Sequence, residues 1–331
     1  MKLSRNPAID MSEYDFLLTK IHGKLSRMLA RDDVRTLESA GLETIIQRLH
    51  GTSYALELGD EKLSGMSDSL RRGLFHDIEN LFFSLQGNDR ALLLDVLARY
   101  RVENIKTIIR AHVYHVPAEQ AVEKILHLPW EKADYAAWLN VNAFEELLQE
   151  IPWPRYRTKL QAVHRQVGEV VTTFNYEVAL DNVYLESLIQ DYERSSGGIK
   201  SILRNRLLRE IISWAFRLKE YGYSFPEMIN FLPDFRLLIS QDELRGIIEE
   251  GEGWRGVGRF FSGELKVEWE KAQTFDVSLA VELFDRQLVA LVRRSFILSN
   301  PGIESVIGYV YLKEIELSWL IRAVEKARVR N

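Results

Sequence analysis

Three arginines end similar apolar segments and are the first candidates for a shared chemical role. They are Arg110 in IKTIIRA (105–111), Arg217 in ISWAFRL (212–218) and Arg322 in LSWLIRA (317–323). Consecutive arginines are 107 and 105 residues apart. Because a guanidinium group is rarely buried without a partner, each arginine either lines a shared axis or is held by an acid elsewhere in its own repeat unit.

Three aspartates recur at nearly the same period, and each stands among apolar neighbours. They are Asp77 in GLFHDIENL, Asp181 in EVALDNVYL and Asp285 in VELFDRQLV, 104 residues apart both times. Each precedes one of the arginines by roughly the length of a helix hairpin. We therefore hypothesise a structural ion pair of this kind in at least one repeat, the candidates being Asp77 with Arg110, Asp181 with Arg217, and Asp285 with Arg322.

Other chemical motifs are weak. His112 and His115 form an HxxH pair, but no further metal ligands stand near them in the sequence, which favours a structural role. The segment GEGWRG (251–256) fits the pattern GxGxxG, yet it follows the helical run QDELRGIIEE and not a strand, so it predicts a loop. The sequence predicts no catalytic residue, no metal site and no cofactor.

The landmarks together indicate internal repetition. A third one is a recurring helix end, TIIQ (44–47), ELLQ (146–149) and GIIE (246–249). Three landmarks in the same order at one period predict three homologous units of about 105 residues, the size of an independent core. We place them at 1–132, which includes an N-terminal helix, at 133–238 and at 239–331.

The predicted fold class is all-α. Apolar residues recur at steps of three and four through 12–30, 34–49, 70–85 and 160–174, and no segment of comparable length alternates like a strand. The clearest breaks contain glycine or proline, as in IPWP (151–154) and SSGG (195–198). Three such units can wind into an open superhelix or close about a pseudo-threefold axis.

Composition excludes several classes of function. The net charge is −5 and no basic stripe interleaved with aromatics occurs, so no nucleic-acid partner is expected. The absence of cysteine excludes disulfides and thiolate sites and fits a cytoplasmic protein. No run of about 18 apolar residues occurs, so any membrane association is expected to be peripheral.

Three segments carry a resemblance to a known family. NIKTIIRAHVYHVPAEQ (104–120), EVALDNVYLESLI (177–189) and IGYVYLKEIELSWLIRA (307–323) resemble the C-subunit family of V-type and A-type ATPases (ATP synthases), which is related to the d-subunit of eukaryotic V-ATPases. The resemblance implies a funnel of three helical domains with pseudo-threefold symmetry. This funnel would cap the membrane proteolipid ring on the cytoplasmic face, touch the membrane only through the ring, and receive the rotor shaft without catalysing a reaction.

Candidate partner contacts are Arg110 and Arg217, with Tyr114 and Tyr221 four residues beyond them. Polar tips beside an apolar turn suit a reversible interface. Two other functions stay open. One is a helical-repeat scaffold that binds protein partners in a concave face, and the other is an all-α enzyme whose site assembles from distant residues.

Overall fold

The fold is built from helices, which confirms the predicted all-α class. The computed structural model describes residues 11–50, 52, 54, 65–141, 143–167, 172–249, 251–272, 274, 276–298 and 302–330. Helix accounts for 79% of the structure, and these residues contain no strand. The funnel with pseudo-threefold symmetry and the boundaries at 132 and 238 stay predictions.

The α-helices of the described residues follow one another along the chain with short joins. They are α1 (Met11–Leu25), α2 (Arg31–Glu38), α3 (Leu42–Leu49), α4 (Met66–Phe82), α5 (Gly87–Val113), α6 (Ala118–Val122), α7 (Tyr135–Leu139), α8 (Phe144–Glu150), α9 (Pro154–Val167), α10 (Thr173–Arg194), α11 (Gly197–Glu220), α12 (Phe225–Phe231), α13 (Gln241–Glu249), α14 (Gly263–Glu270), α15 (Val277–Leu298) and α16 (Ile303–Arg330). A 3-10 helix, Gly253–Phe260, lies between α13 and α14.

The chain divides into two compact units. The first unit comprises residues 1–90 and 289–331, and the second comprises residues 91–288. In the first unit α16 contacts α1, α2, α3 and α4. Most residues of α16 from Ser305 to Leu317 are buried whatever their direction around the helix, as expected for a helix at the centre of a core. Gly308 lets α16 approach α15, because a Cβ there would lie 2.7 Å from Val292 Cγ1.

The second unit is organised around the long helices α10 and α11. The first of them contacts α9, α11 and α12, and α11 also contacts α12 and α13. The sequence marks the helix starts: Pro154 begins α9, where its missing N–H costs nothing, and Ser224 and Glu227 form a capping box at the start of α12. The predicted breaks IPWP and SSGG each end in the first residues of a helix, Pro154 of α9 and Gly197–Gly198 of α11.

The repeated landmarks occupy corresponding helices. The aspartates lie in α4, α10 and α15, which we call the aspartate helices, and the arginines lie in α5, α11 and α16, which we call the arginine helices. The recurring helix end belongs to α3, α8 and α13. Each landmark thus keeps its place in the helix order, as homologous units require.

All four predicted helical runs differ from their apolar periodicity: 34–49 is divided between α2, which ends at Glu38, and α3, which begins at Leu42, and 70–85 is helical only to Phe82. The run 12–30 is helical only to Leu25, and a turn and a bend precede α2. The run 160–174 is divided, since α9 ends at Val167 and α10 begins at Thr173; its members Val170 and Val171 lie outside the described residues. The apolar periodicity therefore located the helical segments but not the joins between them.

The arginine helices α5 and α11 end in the same backbone motif. The N–H of Val116 donates to the carbonyl of Ala111, and the N–H of Tyr223 donates to that of Leu218, the pattern of a Schellman cap. The residue before each donor is left-handed, with φ 52° at His115 and φ 86° at Gly222. The two caps are 107 residues apart, as Arg110 and Arg217 are.

This shared cap predicts opposite effects of exchanging glycine at the two sites. A left-handed conformation costs a non-glycine residue about 1 kcal/mol, so His115→Gly is expected to raise the free energy of unfolding by about that amount. Gly222→Ala is expected to lower it by about 1 kcal/mol, since a Cβ at Gly222 meets nothing within 4 Å. Urea unfolding of both variants measures this, and a destabilised His115→Gly would contradict it.

Candidate functional site

The ends of α5 and α11 present exposed tyrosines. Tyr114 is 63% exposed and Tyr221 is 67% exposed, each one helical turn beyond an arginine. The hydroxyl of Tyr114 lies 3.3 Å from Thr173 Oγ1. Aromatic rings that stand in solvent at matching positions of two copies are typical of a surface that another protein covers.

The two arginines at these ends differ in their pairing. Arg110 makes a bidentate ion pair with Glu177, with Nε–Oε1 at 2.8 Å and a guanidinium NH2–Oε2 distance of 2.5 Å. The hydrogen bond to Glu177 raises the pKa of Arg110. Arg217 is exposed and has no ion pair within the described part of the chain. The arginine at the end of α5 is therefore held by an ion pair, whereas the guanidinium group at the end of α11 is available to a partner.

The third arginine has different surroundings. Arg322 is exposed, but α16 continues beyond it to Arg330 and has no cap at the corresponding place. Four residues after Arg322 stands Lys326, which forms an ion pair with Glu38. The third copy thus lacks the exposed tyrosine that α5 and α11 share.

The aspartate of the first copy lies in a buried polar cluster of the first unit. Asp77 is 3% exposed and forms an ion pair with Lys24, and its other oxygen lies 3.9 Å from Lys313 Nζ. The hydroxyl of Tyr309 donates to the same oxygen at 3.2 Å. Burial lowers the pKa of Lys313, an effect that the charge of Glu316 opposes.

Glu316 completes this cluster. It is 1% exposed and lies 2.5 Å from Lys313 Nζ. It also accepts hydrogen bonds from the Leu29 N–H at 2.6 Å and from the Tyr54 hydroxyl at 2.9 Å. Two carboxylates thus face two ammonium groups, so the cluster is balanced in charge, as buried ions require.

The aspartates of the other two copies are paired in the same way within the second unit. Asp181 lies 2.7 Å from Lys106 Nζ, and Asp285 lies 2.8 Å from Arg209 Nε. Burial raises the pKa of Asp181 and that of Asp285, and the neighbouring cation opposes this rise in both cases. The nearby cations favour the ionised form of both carboxylates, which burial alone disfavours.

The three cations are themselves a repeat. Lys106, Arg209 and Lys313 are separated by 103 and 104 residues, which matches the period of the aspartates. Each lies in an arginine helix. The cation in α5 pairs with the aspartate of the second copy, that in α11 with the aspartate of the third, and that in α16 with Asp77 of the first.

These partners differ from the hypothesised ones. The hypothesis joined each aspartate to the arginine of its own copy, whereas each aspartate contacts the repeated cation of another copy, and Asp77 also contacts Lys24 of its own copy. Asp181 and Arg217 line the same cavity, but they form no ion pair among the described residues. The sequence-based prediction missed these cations. The signal that could have identified them is a single cation within an apolar segment, such as Lys313 in IGYVYLKEIEL.

That cavity lies in the second unit and has a volume of about 230 Å³. Its walls come from α5, α10 and α11. The lining residues are Arg99, Val102, Glu103, Lys106, Asp181, Tyr184, Leu185, Arg206, Glu210, Ser213, Trp214 and Arg217. Burial would raise the pKa of Glu210, but the guanidinium groups of Arg206, Arg209 and Arg99 lower it to about 2.

The weak motifs of the sequence have ordinary structural surroundings. His112 Nε2 lies 2.9 Å from the carbonyl oxygen of Trp138, and within the described ranges no three His, Asp or Glu side chains are grouped as metal ligands would be. The segment GEGWRG follows α13, and its Gly253 begins the 3-10 helix, so it lacks the strand of a dinucleotide-binding turn.

None of the helices in the described part of the chain combines the length and the apolar character that crossing a bilayer requires.

Comparison with known proteins gives a consistent result over almost the whole chain. The sequence profile of the family described as ATP synthase (C/AC39) subunit matches residues 17–328. A relative in Methanocaldococcus jannaschii, named as the C-subunit of an A-type ATP synthase, is 23% identical over 98% of this chain and 84% of the relative. A relative of the same name in Methanosarcina mazei is 22% identical over 66% of this chain and 62% of the relative.

The buried cluster around Asp77 predicts a large effect of removing its carboxylate. Asp77→Leu leaves the ammonium groups of Lys24 and Lys313 without this partner, and breaking a buried pair costs about 3–5 kcal/mol. We expect urea unfolding to show a loss of that size. The control is Glu325→Ala, which removes an exposed pair with Arg328 at 3.8 Å and should cost less than about 0.5 kcal/mol. Similar losses in both variants would contradict the role of the cluster.

Proposed function

Since the chain belongs to the family of ATP synthase (C/AC39) subunits, we propose that it is a non-catalytic adaptor in the central stalk of a V/A-type rotary ATPase. It couples the shaft of the ATP-hydrolysing part to the membrane proteolipid ring. The observation that carries this proposal is the family match, which runs from residue 17 to residue 328. A match of that length concerns the whole chain and not a single module.

The internal bonding of the helices suits a part that transmits torque. Each aspartate helix is joined to an arginine helix by a carboxylate and a cation, and the carboxylates of Asp77 and Asp285 are buried. Such contacts resist sliding of one helix along another, because displacement by even one residue leaves a charge buried without a partner. A protein whose helices resist sliding transmits torque with little internal deformation.

We assign the partner contacts to the ends of α5 and α11. Tyr114 and Tyr221 are large exposed rings, and Arg110 and Arg217 stand one turn before them. Rings of this kind act as anchors in protein interfaces, and arginine is enriched beside them. In this proposal the surface receives the rotor shaft. The chain then lies on the cytoplasmic face as a peripheral component of the complex, in contact with the membrane only through the ring.

Site-specific cross-linking tests this assignment. The chain contains no cysteine, so Tyr114→Cys and Tyr221→Cys each carry a single thiol for a photoactivated cross-linker. We expect both variants, in membranes of the source organism, to cross-link to a shaft protein that mass spectrometry identifies. The matched control is Val267→Cys in α14, where the native side chain is 48% exposed, and it should give no such product.

Two outcomes would count against the proposal. If the three variants cross-link to the shaft equally, the α5 and α11 ends are not the contact. If neither tyrosine variant reaches any component of the ATPase and both reach an unrelated protein, the helical-repeat scaffold is the better description.

A further inference from the structure

The cavity of the second unit is lined by polar side chains, some of which are buried while others are exposed at its edge. Lys106 is 7% exposed, Arg206 5% and Ser213 6%, whereas Arg217 and Glu103 are exposed at its edge. Its volume of about 230 Å³ is below the roughly 300–1,000 Å³ of pockets that take drug-sized ligands. Its occupant is therefore small.

The carboxylates of the cavity are already matched by cations. Asp181 is paired with Lys106 at 2.7 Å, and Glu103 lies 3.4 Å from the same ammonium group. Glu210 lies 3.1 Å from Arg206 and 2.6 Å from Arg209. These acids do not need a bound cation, which excludes a metal ion as the best-fitting occupant.

In contrast to these carboxylates, several hydrogen-bond donors on α11 have no acceptor among the described residues. Trp214 Nε1 and Ser213 Oγ are buried and find no hydrogen-bond partner among the described residues, and Arg217 has no ion pair there. Ser213 and Arg217 are one helical turn apart, and Trp214 stands three residues before Arg217, so all three belong to neighbouring positions on the helix. A buried donor without an acceptor costs about 1–3 kcal/mol, which an acceptor-bearing ligand would relieve.

We infer that this cavity binds a small free oxyanion, a phosphate or a carboxylate, through the guanidinium group of Arg217, the indole N–H of Trp214 and the hydroxyl of Ser213. The charged lining residues comprise four cations and three anions, so the local balance favours an anion. A planar guanidinium group pairs with two oxygens of such a ligand at once. This inference concerns the isolated chain and does not depend on the proposed function.

Indole resonances of the isolated protein test the inference directly. The chain has seven tryptophans, and Trp214→Phe identifies the Trp214 Nε1–H signal in a nitrogen–proton correlation spectrum. Titration with inorganic phosphate, and separately with acetate, is compared with sodium chloride at equal ionic strength. We expect the Trp214 signal to move saturably with at least one oxyanion, and the tighter of the two names the ligand class.

Matched arginine variants separate the cavity from general charge effects. Arg217→Gln should weaken the binding by roughly tenfold or more, since it removes the charged donor, whereas Arg322→Gln, at the corresponding arginine of the third copy, should leave it unchanged. The inference is overturned if the Trp214 signal follows the chloride control with both anions. It is equally overturned if Arg217→Gln titrates like the unmodified protein.

Discussion

A carboxylate among apolar helix faces must have a cation beside it, and this constraint organises the protein. Asp77, Asp181 and Asp285 recur every 104 residues, and the cations that satisfy them recur with almost the same period. Each pair joins an aspartate helix to the arginine helix of another copy, so the charge requirement ties these helices to one another at defined positions; α4 and α16 also pack closely along their backbones. Apolar burial supplies most of the stability, but it does not choose between partners of similar hydrophobicity.

This constraint links the packing to the proposed mechanical role. Hydrophobic contacts between helices allow small shifts, since neighbouring apolar residues replace one another at little cost. Buried ion pairs do not, because a shifted pair loses its partner in a region of low polarity. Helices α5 and α11 carry the cations of two of these ion pairs, and each is followed by an exposed tyrosine. Each helix therefore combines a fixed interior contact with a surface suited to a partner.

Sequence patterns were sufficient for the helical class but not for the bounds of the helices or for the ion pairs between them. Helical periodicity and the breaks at 151–154 and 195–198 are local, so they predicted the all-α class and the places of the landmarks. The aspartate partners are 75 residues away for Asp181 and 76 for Asp285, and local spacing carries no information about them. The lone cations were visible as charges in apolar segments, but only their common period with the aspartates would have identified them. The bond between Arg110 and Glu177, 67 residues apart, left no comparable trace.

The central claim is that this chain connects the shaft of a rotary ATPase to its membrane ring. Its most direct test is purification of the tagged chain from native membranes after mild detergent extraction, with identification of the accompanying proteins by mass spectrometry. We expect the proteolipid ring, shaft and nucleotide-binding subunits to be recovered together with the chain. Recovery of an unrelated partner with none of these subunits would contradict it.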